Sequence, residues 1–264
     1  MNIVSFTSDF GIQDNYVGVV KGVMLRINPL IRIVDLSHGI RPFAVEQAAY
    51  MISSSYRFFP DESVHLAVVD PGVGTGRAAL VLRKKNCFFV GPDNGIFTDV
   101  LGDKGIQIYV LNRAAVAALS DIRVKSGMTF DGRDLFGPAA ALLSKGVDIG
   151  KIAGPLRQNP VLLHAAVVNG AGVQPVSIIH VDHFGNIITA LHRSHLKGKI
   201  RLGRIKIGSL LIDQISRNYQ DVPEGHFLAL WGSTGYLEIS VNQGNAAKEL
   251  KCIPVRDMVE VQIK

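Results

Sequence analysis

Two cysteines stand among the 264 residues, Cys87 and Cys252, far apart in the chain and each in an apolar, strand-like setting. So few cysteines exclude a disulfide framework, and neither belongs to a metal-binding pattern; both read as buried thiols in a reducing compartment. No run reaches the roughly eighteen apolar residues that a membrane span requires. The start, Met1-Asn2-Ile3-Val4-Ser5-Phe6, has neither the basic region nor the long apolar region of a secretory signal. A soluble, cytoplasmic protein without membrane association is expected. The eight histidines show no His-x-x-x-His or mixed His, Cys and carboxylate spacing, so no metal is expected either. Aromatics are only 7% of the chain and seldom interleave with the basic residues.

What is present is hydrophobic bulk. At 47% hydrophobic, the chain can bury one large core or two modest ones without covalent staples. The formal charge of +6 is dispersed, densest at Arg83-Lys84-Lys85 and from His192 to Lys206. That distribution suits a solvated face or an attraction for anionic metabolites, and no nucleic-acid partner is expected.

Residues 1 to about 157 alternate in texture. Strand-like runs at 3–7, 31–36, 64–69, 79–82, 88–90 and 106–111 are interspersed with helical stretches at 16–27, 44–56 and 135–143. This predicts an α/β N-terminal domain, a layered sheet with helices. After a linker at 158–172, residues 173–264 carry short β-rich runs, at 176–181, 185–189, 205–211, 227–231, 236–241 and 258–263, punctuated by Gly, Asn and Pro. A smaller all-β C-terminal domain, barrel or sandwich, is predicted.

The densest chemistry lies in Val68-Val69-Asp70-Pro71-Gly72-Val73-Gly74-Thr75-Gly76-Arg77, where an apolar strand runs into a glycine-rich loop with opposite charges at its ends. The loop lacks the Lys and the hydroxyl of a Walker motif, and the apolar run after it is too short and too β-branched to read as a dinucleotide-binding helix. Phosphate binding is thereby disfavoured, leaving either a turn closed by a surface ion pair or a strand-end site. Asp9, in Thr7-Ser8-Asp9-Phe10-Gly11, also follows a strand and suits either the hydroxyls of a ribose or a helix cap. Gly91-Pro92-Asp93-Asn94-Gly95 reads as a turn, with Asn94 a substrate-binding candidate. In Thr129-Phe130-Asp131-Gly132-Arg133-Asp134, Asp134 suits the start of a helix near Leu135, whereas Asp131 has no such explanation. In the second half, Asp182-His183-Phe184-Gly185-Asn186 reads as a hairpin turn with His183 exposed. The Gly232-Ser233-Thr234-Gly235 turn and the Val241-Asn242-Gln243-Gly244-Asn245 turn offer backbone groups to a flat heterocycle or a carboxylate, or simply join strands.

Taken together, Phe6-Thr7-Ser8-Asp9-Phe10-Gly11, Asp14-x-Tyr16-Val17-Gly18, Lys21-Gly22 and Gly244-Asn245-Ala246-Ala247 resemble the S-adenosyl-L-methionine (SAM) hydroxide adenosyltransferases, relatives of the bacterial fluorinase and chlorinase. The resemblance spans nearly the whole chain. It implies cleavage of SAM by attack of a small nucleophile on the ribose C5′, with Asp70 marking the water-using type that forms adenosine and methionine. It also implies that Asp9 holds the ribose hydroxyls and that Asn186 and Tyr219 contact the nucleoside, Tyr219 by stacking. Ser233 and Glu238 would lie at the methionine and adenine end, Val241 and Asn242 would offer backbone to the base, and Asp182 would face the methionine ammonium. The match fits either Asn242 or Asn245. A homotrimer with the site at subunit interfaces is implied, and no cofactor. The alternatives are a halide-using adenosyltransferase and a binding protein without turnover.

One departure stands out. The family pattern Thr-Phe-His-Gly-Arg-Asp, which joins a His to Asp70 and Arg77, is here Thr129-Phe130-Asp131-Gly132-Arg133-Asp134. Asp70, Arg77 and Asp131 become the catalytic candidates, two carboxylates around one guanidinium. Two carboxylates so close ionise together only with cationic compensation.

Overall fold

Strand β1 (Ile3–Ser8), buried along nearly its whole length, is the axis of the first of two units in the computed structural model. Residues 2–121, 129–163, 172–196, 202–252 and 257–263 are described, and the units span Met1–Leu163 and His164–Lys264. In chain order the first unit continues with α1 (Tyr16–Ile27), β2 (Arg32–Ser37), α2 (Val45–Ser55), β3 (Val64–Val68), β4 (Ala79–Lys84), β5 (Cys87–Pro92), α3 (Thr98–Leu101), β6 (Ile106–Leu111), α4 (Arg113–Ser120), a π-helical turn (Gly132–Phe136), α5 (Gly137–Ser144) and β7 (Ala153–Pro155).

The seven strands form one mixed sheet in the order β2-β1-β3-β5-β4-β6-β7. Strands β2, β1, β3 and β5 are parallel, while β4 runs antiparallel to both β5 and β6. Alternation along β3 and just past it sends Leu66 and Val68 into one core and Ala67 and Val69 into the other. Helix α1 buries Val20, Met24 and Ile27 at helical spacing. Every residue of α5 is buried, and a side chain at Gly137 would meet Gly132 O and Val20, so glycine permits the close approach.

This topology positions the site. Strand β2 lies on one side of β1 and β3 on the other, which makes the carboxyl ends of β1 and β3 a topological switch point, the usual ligand crevice of an α/β sheet. Asp9 follows β1 and Asp70 follows β3 there. Because β4 is antiparallel, its start brings Arg77 to the same edge, and β6, antiparallel to β4, ends there just before Arg113.

In the second unit, β8 (Gly172–Val181), β9 (Ile187–His192), β10 (Leu202–Ile207), β11 (Leu210–Ile212), β12 (Ile215–Ser216), β13 (Phe227–Trp231), β14 (Tyr236–Val241) and β15 (Met258–Ile263) form an eight-stranded sheet, with a short helix α6 (Ala246–Glu249). The order β11-β10-β15-β8-β9-β14-β13-β12 gives a nearly closed, barrel-like sheet. Strand β15 shows the period-two pattern plainly, with Val259, Val261 and Ile263 inside and their neighbours exposed.

Several expectations are corrected. The run 205–211 is a hairpin, β10 to β11, because Gly208 turns with φ +56°. Helices α3 and α4 have no counterpart among the expected elements. Cys87 and Cys252 are half-buried rather than buried. Of the expected linker, residues 164–171 lie outside the described residues, and the backbone N–H groups of Val161 and Leu163 bond Asp93 and Thr98 of the first unit. Residues 197–201 of the basic stretch also lie outside them. No helix among the described residues is long and apolar enough to cross a membrane.

Candidate active site

At the switch point, Asp70 and Arg77 form a two-point ion pair: Arg77 Nε donates to Asp70 Oδ1 at 2.7 Å and Nη2 pairs with Oδ2. The same Nη2 lies 3.0 Å from Asp131 Oδ2. Asp131 Oδ1 accepts from Arg113 Nη2 at 2.8 Å. The side chains of Asp70, Arg77 and Asp131 are only 5%, 11% and 4% exposed, which corrects the reading of a surface ion pair. Buried charges persist when paired and hydrogen-bonded, and the fork of Arg77, seated 5.0 Å over the Phe136 ring, supplies the match.

The loop between Asp70 and Arg77 folds on itself, Thr75 Oγ1 donating to Gly72 O at 2.7 Å and Val73 N–H to Asp70 O at 3.2 Å. Of its three glycines only Gly74, at φ +79°, occupies the left-handed region. Asp131 opens the π-helical turn, where its carboxylate faces the two guanidiniums and makes no cap. Asp134 corrects the capping expectation: it lies within the turn, paired with Arg133 at 2.6 Å. The helical turn begins earlier, at Gly132, which packs closely against Phe10 and Phe130.

Asp9 is not a helix cap, since the residue before α1 is Asn15. Its Oδ2 accepts from the N–H of Phe43 at 2.9 Å, and Phe43 holds a left-handed φ of +67° with an exposed ring. Burial pushes the Asp9 carboxyl up, and the charge of Asp70 adds to that, against hydrogen bonds from Phe43 and its own N–H. Asn94 ties the β5 turn to the end of β3, Nδ2 donating to Val69 O at 2.8 Å.

The second unit holds a cavity of about 490 Å³ lined by Phe184, Asn186, Tyr219, Val241, Gln243 and Gly244. Tyr219 O–H donates to Glu238 Oε1 at 2.6 Å, and Ser240 Oγ donates to the same oxygen at 2.9 Å. Burial first, then the bond to Glu238, raises the Tyr219 hydroxyl above its ordinary value. With its hydroxyl anchored, the 41% exposed ring offers a fixed flat face. Asp182 staples the β8–β9 turn, accepting from the N–H groups of Phe184 and Asn186 and from Asn186 Nδ2, each at 2.9 Å. Asn242 Nδ2 donates to Val222 O at 2.8 Å, and Asn245 caps α6, accepting from Lys248 N–H at 2.8 Å. Ser233 sits in the β13–β14 turn.

The sequence pattern of the SAM hydroxide adenosyltransferase N-terminal domain matches residues 4–153, and that of the C-terminal domain matches residues 176–259. The chain belongs to the SAM hydroxide adenosyltransferase family. A protein of Thermus thermophilus named (R)-S-adenosyl-L-methionine hydrolase is 36% identical over 262 residues, covering 97% of this chain and 99% of its own. The crystal structure of an uncharacterised conserved protein from Thermotoga maritima superposes with a TM-score of 0.82 at 31% identity, covering 98% and 99% of the two chains. A fluorinase of Actinoplanes is more distant, 29% identical over 242 residues, covering 81% of this chain and 79% of its own.

In this member of the SAM hydroxide adenosyltransferase family, the first unit brings together Asp70, Arg77 and Asp131, with Asp9 close enough to feel the charge of Asp70. In the second unit, Asn186, Tyr219 and Val241 line one cavity and Glu238 anchors Tyr219; Asp182, Ser233, Asn242 and Asn245 are not among its lining residues. Sequence reasoning missed Arg113, Phe184 and Gln243. Arg113 stands two residues past a strand, as Asp70 does, but nothing local in the sequence ties it to Asp131. Its presence corrects the expectation of a single guanidinium.

Proposed function

We propose that this chain hydrolyses S-adenosyl-L-methionine to adenosine and L-methionine. The oxygen of water or hydroxide attacks the ribose C5′, the C5′–S bond breaks with its electron pair going to sulfur, and the proton of water leaves to Asp70. The observation that carries this reading is the Asp70–Arg77 pair, a buried, doubly held carboxylate at the switch point, in a family whose relatives bear the hydrolase name. Holding the nucleophile in line is the largest effect available, and a general base adds about 10²- to 10⁴-fold. The sulfonium brings its own leaving group, so the proposal includes no cofactor. The relatives' name specifies the (R) sulfonium, and the proposal extends that preference to this chain.

Asp9 is assigned the ribose hydroxyls, and the Tyr219 ring, flanked by Asn186 and Val241, the adenine. A cytoplasmic setting and a homotrimer, in which the acidic edge of one subunit meets the aromatic cavity of another, belong to the same proposal. Halide use is disfavoured because the Asp70 carboxylate would repel the anion.

Chromatography after incubation with SAM and chloride tests the reading. Adenosine and methionine are expected, and Asp70→Asn should lose about 10²- to 10⁴-fold in rate while remaining folded. A 5′-halo-nucleoside, or unchanged SAM, would refute it.

A further inference from the structure

Arg113 has no part in the reaction as proposed, yet its Nη2 reaches 2.8 Å from Asp131 Oδ1 while its own side chain stays 48% exposed. An arginine spanning from solvent to a buried carboxylate gives up side-chain freedom to make that bond. The chemistry of the cluster supplies a reason. Asp70 and Asp131 together carry one negative charge more than the Arg77 guanidinium balances. Asp131 in the histidine position adds one negative charge beside Asp70, on the same guanidinium nitrogen. Arg113 adds the one positive charge that cancels it.

We propose that Arg113 is a positioning residue that acts through Asp131, restoring the neutrality that an aspartate in the histidine position removes. Holding Asp131 Oδ1 leaves the Arg77 fork committed to Asp70, so the carboxylate that takes the proton stays aimed. Neutrality also bears on the barrier. The sulfonium loses its positive charge as the C5′–S bond breaks, so an uncompensated carboxylate nearby would stabilise bound SAM more than the transition state. Removing Arg113 should therefore slow turnover without weakening binding. The assignment rests on the hydrolase reading above.

Steady-state kinetics of adenosine release, with thermal unfolding of each variant, tests it. Arg113→Gln should lower kcat, counted per folded chain from the unfolding measurement, by about tenfold or more with KM unchanged or lower. Arg113→Lys, which keeps the charge, should recover most of the rate. In an Asp131→His chain, Arg113→Gln should change kcat by less than about twofold, because the charge it balanced is gone. A kcat for Arg113→Gln within about twofold of wild type, or an equal loss in the wild-type and Asp131→His backgrounds, overturns the proposal. Should Arg113→Gln fail to fold, Arg113→Met, which also removes the charge, decides in the same two backgrounds by the same comparison. Wild-type chain that forms no adenosine would overturn the hydrolase reading and this assignment with it, whereas an active wild type with an indifferent Arg113 overturns this assignment alone.

Discussion

Asp131 Oδ1 accepts a hydrogen bond from Arg113 Nη2 at 2.8 Å, while its Oδ2 faces Arg77 Nη2 at 3.0 Å. The site is thus an alternation of two carboxylates and two guanidiniums, buried at Asp70, Arg77 and Asp131 and reaching solvent at Arg113. Its cohesion depends on every member having a partner. Replacing Arg77 with Met strands Asp70 in the interior and leaves Asp131 with Arg113 alone. We expect a loss of about 3–5 kcal/mol in denaturant unfolding, largely recovered when Asp70→Asn and Asp131→Asn are added. An Arg77→Met chain that unfolds at the wild-type midpoint would contradict this arrangement.

Asp9 shows the opposite balance. Burial and the charge of Asp70 raise its pKa, so the folded protein holds this proton more tightly than the unfolded chain does. That contribution is complete below the unfolded value of 3.8 and is lost as pH rises through the higher folded value. Above that folded value the ionised Asp9 is a cost to the fold. Asp9→Asn keeps an acceptor for the Phe43 N–H and should raise the thermal midpoint at pH 7, with the gain fading on acidification. It should also weaken nucleoside binding. A midpoint at or below wild type at pH 7 would contradict the account.

How much of this was legible in the chain differs from residue to residue. Helix α1 has the predicted bounds because Val20, Met24 and Ile27 recur at helical spacing, and β13, β14 and β15 match because their alternation is clear. The Asp70–Arg77 pair was readable because a short loop joins its members. Arg113 was not, since its partner Asp131 is distant in sequence and helix α4 is only eight residues, too brief for periodicity to announce. The π-helical turn escaped for a related reason: Gly132 at its start packs closely against Phe10 and Phe130, and the contact with Phe10 has no local signature. The aromatic cavity was partly legible through Tyr219, but Phe184 looked like an ordinary turn residue.

His65 should dominate the acid limb of stability in the first unit. It is buried, bonded through Nδ1 to Ser5 Oγ at 2.8 Å, and burial pushes its pKa down to about 4 from 6.5. A histidine held neutral stabilises fully above 6.5, and that contribution is lost as pH falls through about 4. The shift corresponds to about 3 kcal/mol over that window. His65→Phe should flatten the decline in unfolding free energy between these limits. An unaltered slope would show that other groups carry it.

Tyr219 separates stacking from hydrogen bonding. Tyr219→Phe keeps the ring and removes the donor to Glu238 Oε1, which retains the bond from Ser240. Tyr219→Ala removes the ring. Calorimetric titration with adenosine should show the Ala variant weakened by about 1–3 kcal/mol, a stacking contribution, and the Phe variant by less. Equal losses in both would assign the binding role to the hydroxyl.

The most direct measurement of the central claim is mass spectrometry of the nucleoside formed from SAM in heavy-oxygen water. Attack by water on C5′ predicts adenosine carrying one solvent oxygen at its 5′ position, with methionine unlabelled. Adenosine free of solvent oxygen, a 5′-halo-nucleoside in the presence of chloride, or SAM recovered intact would contradict it.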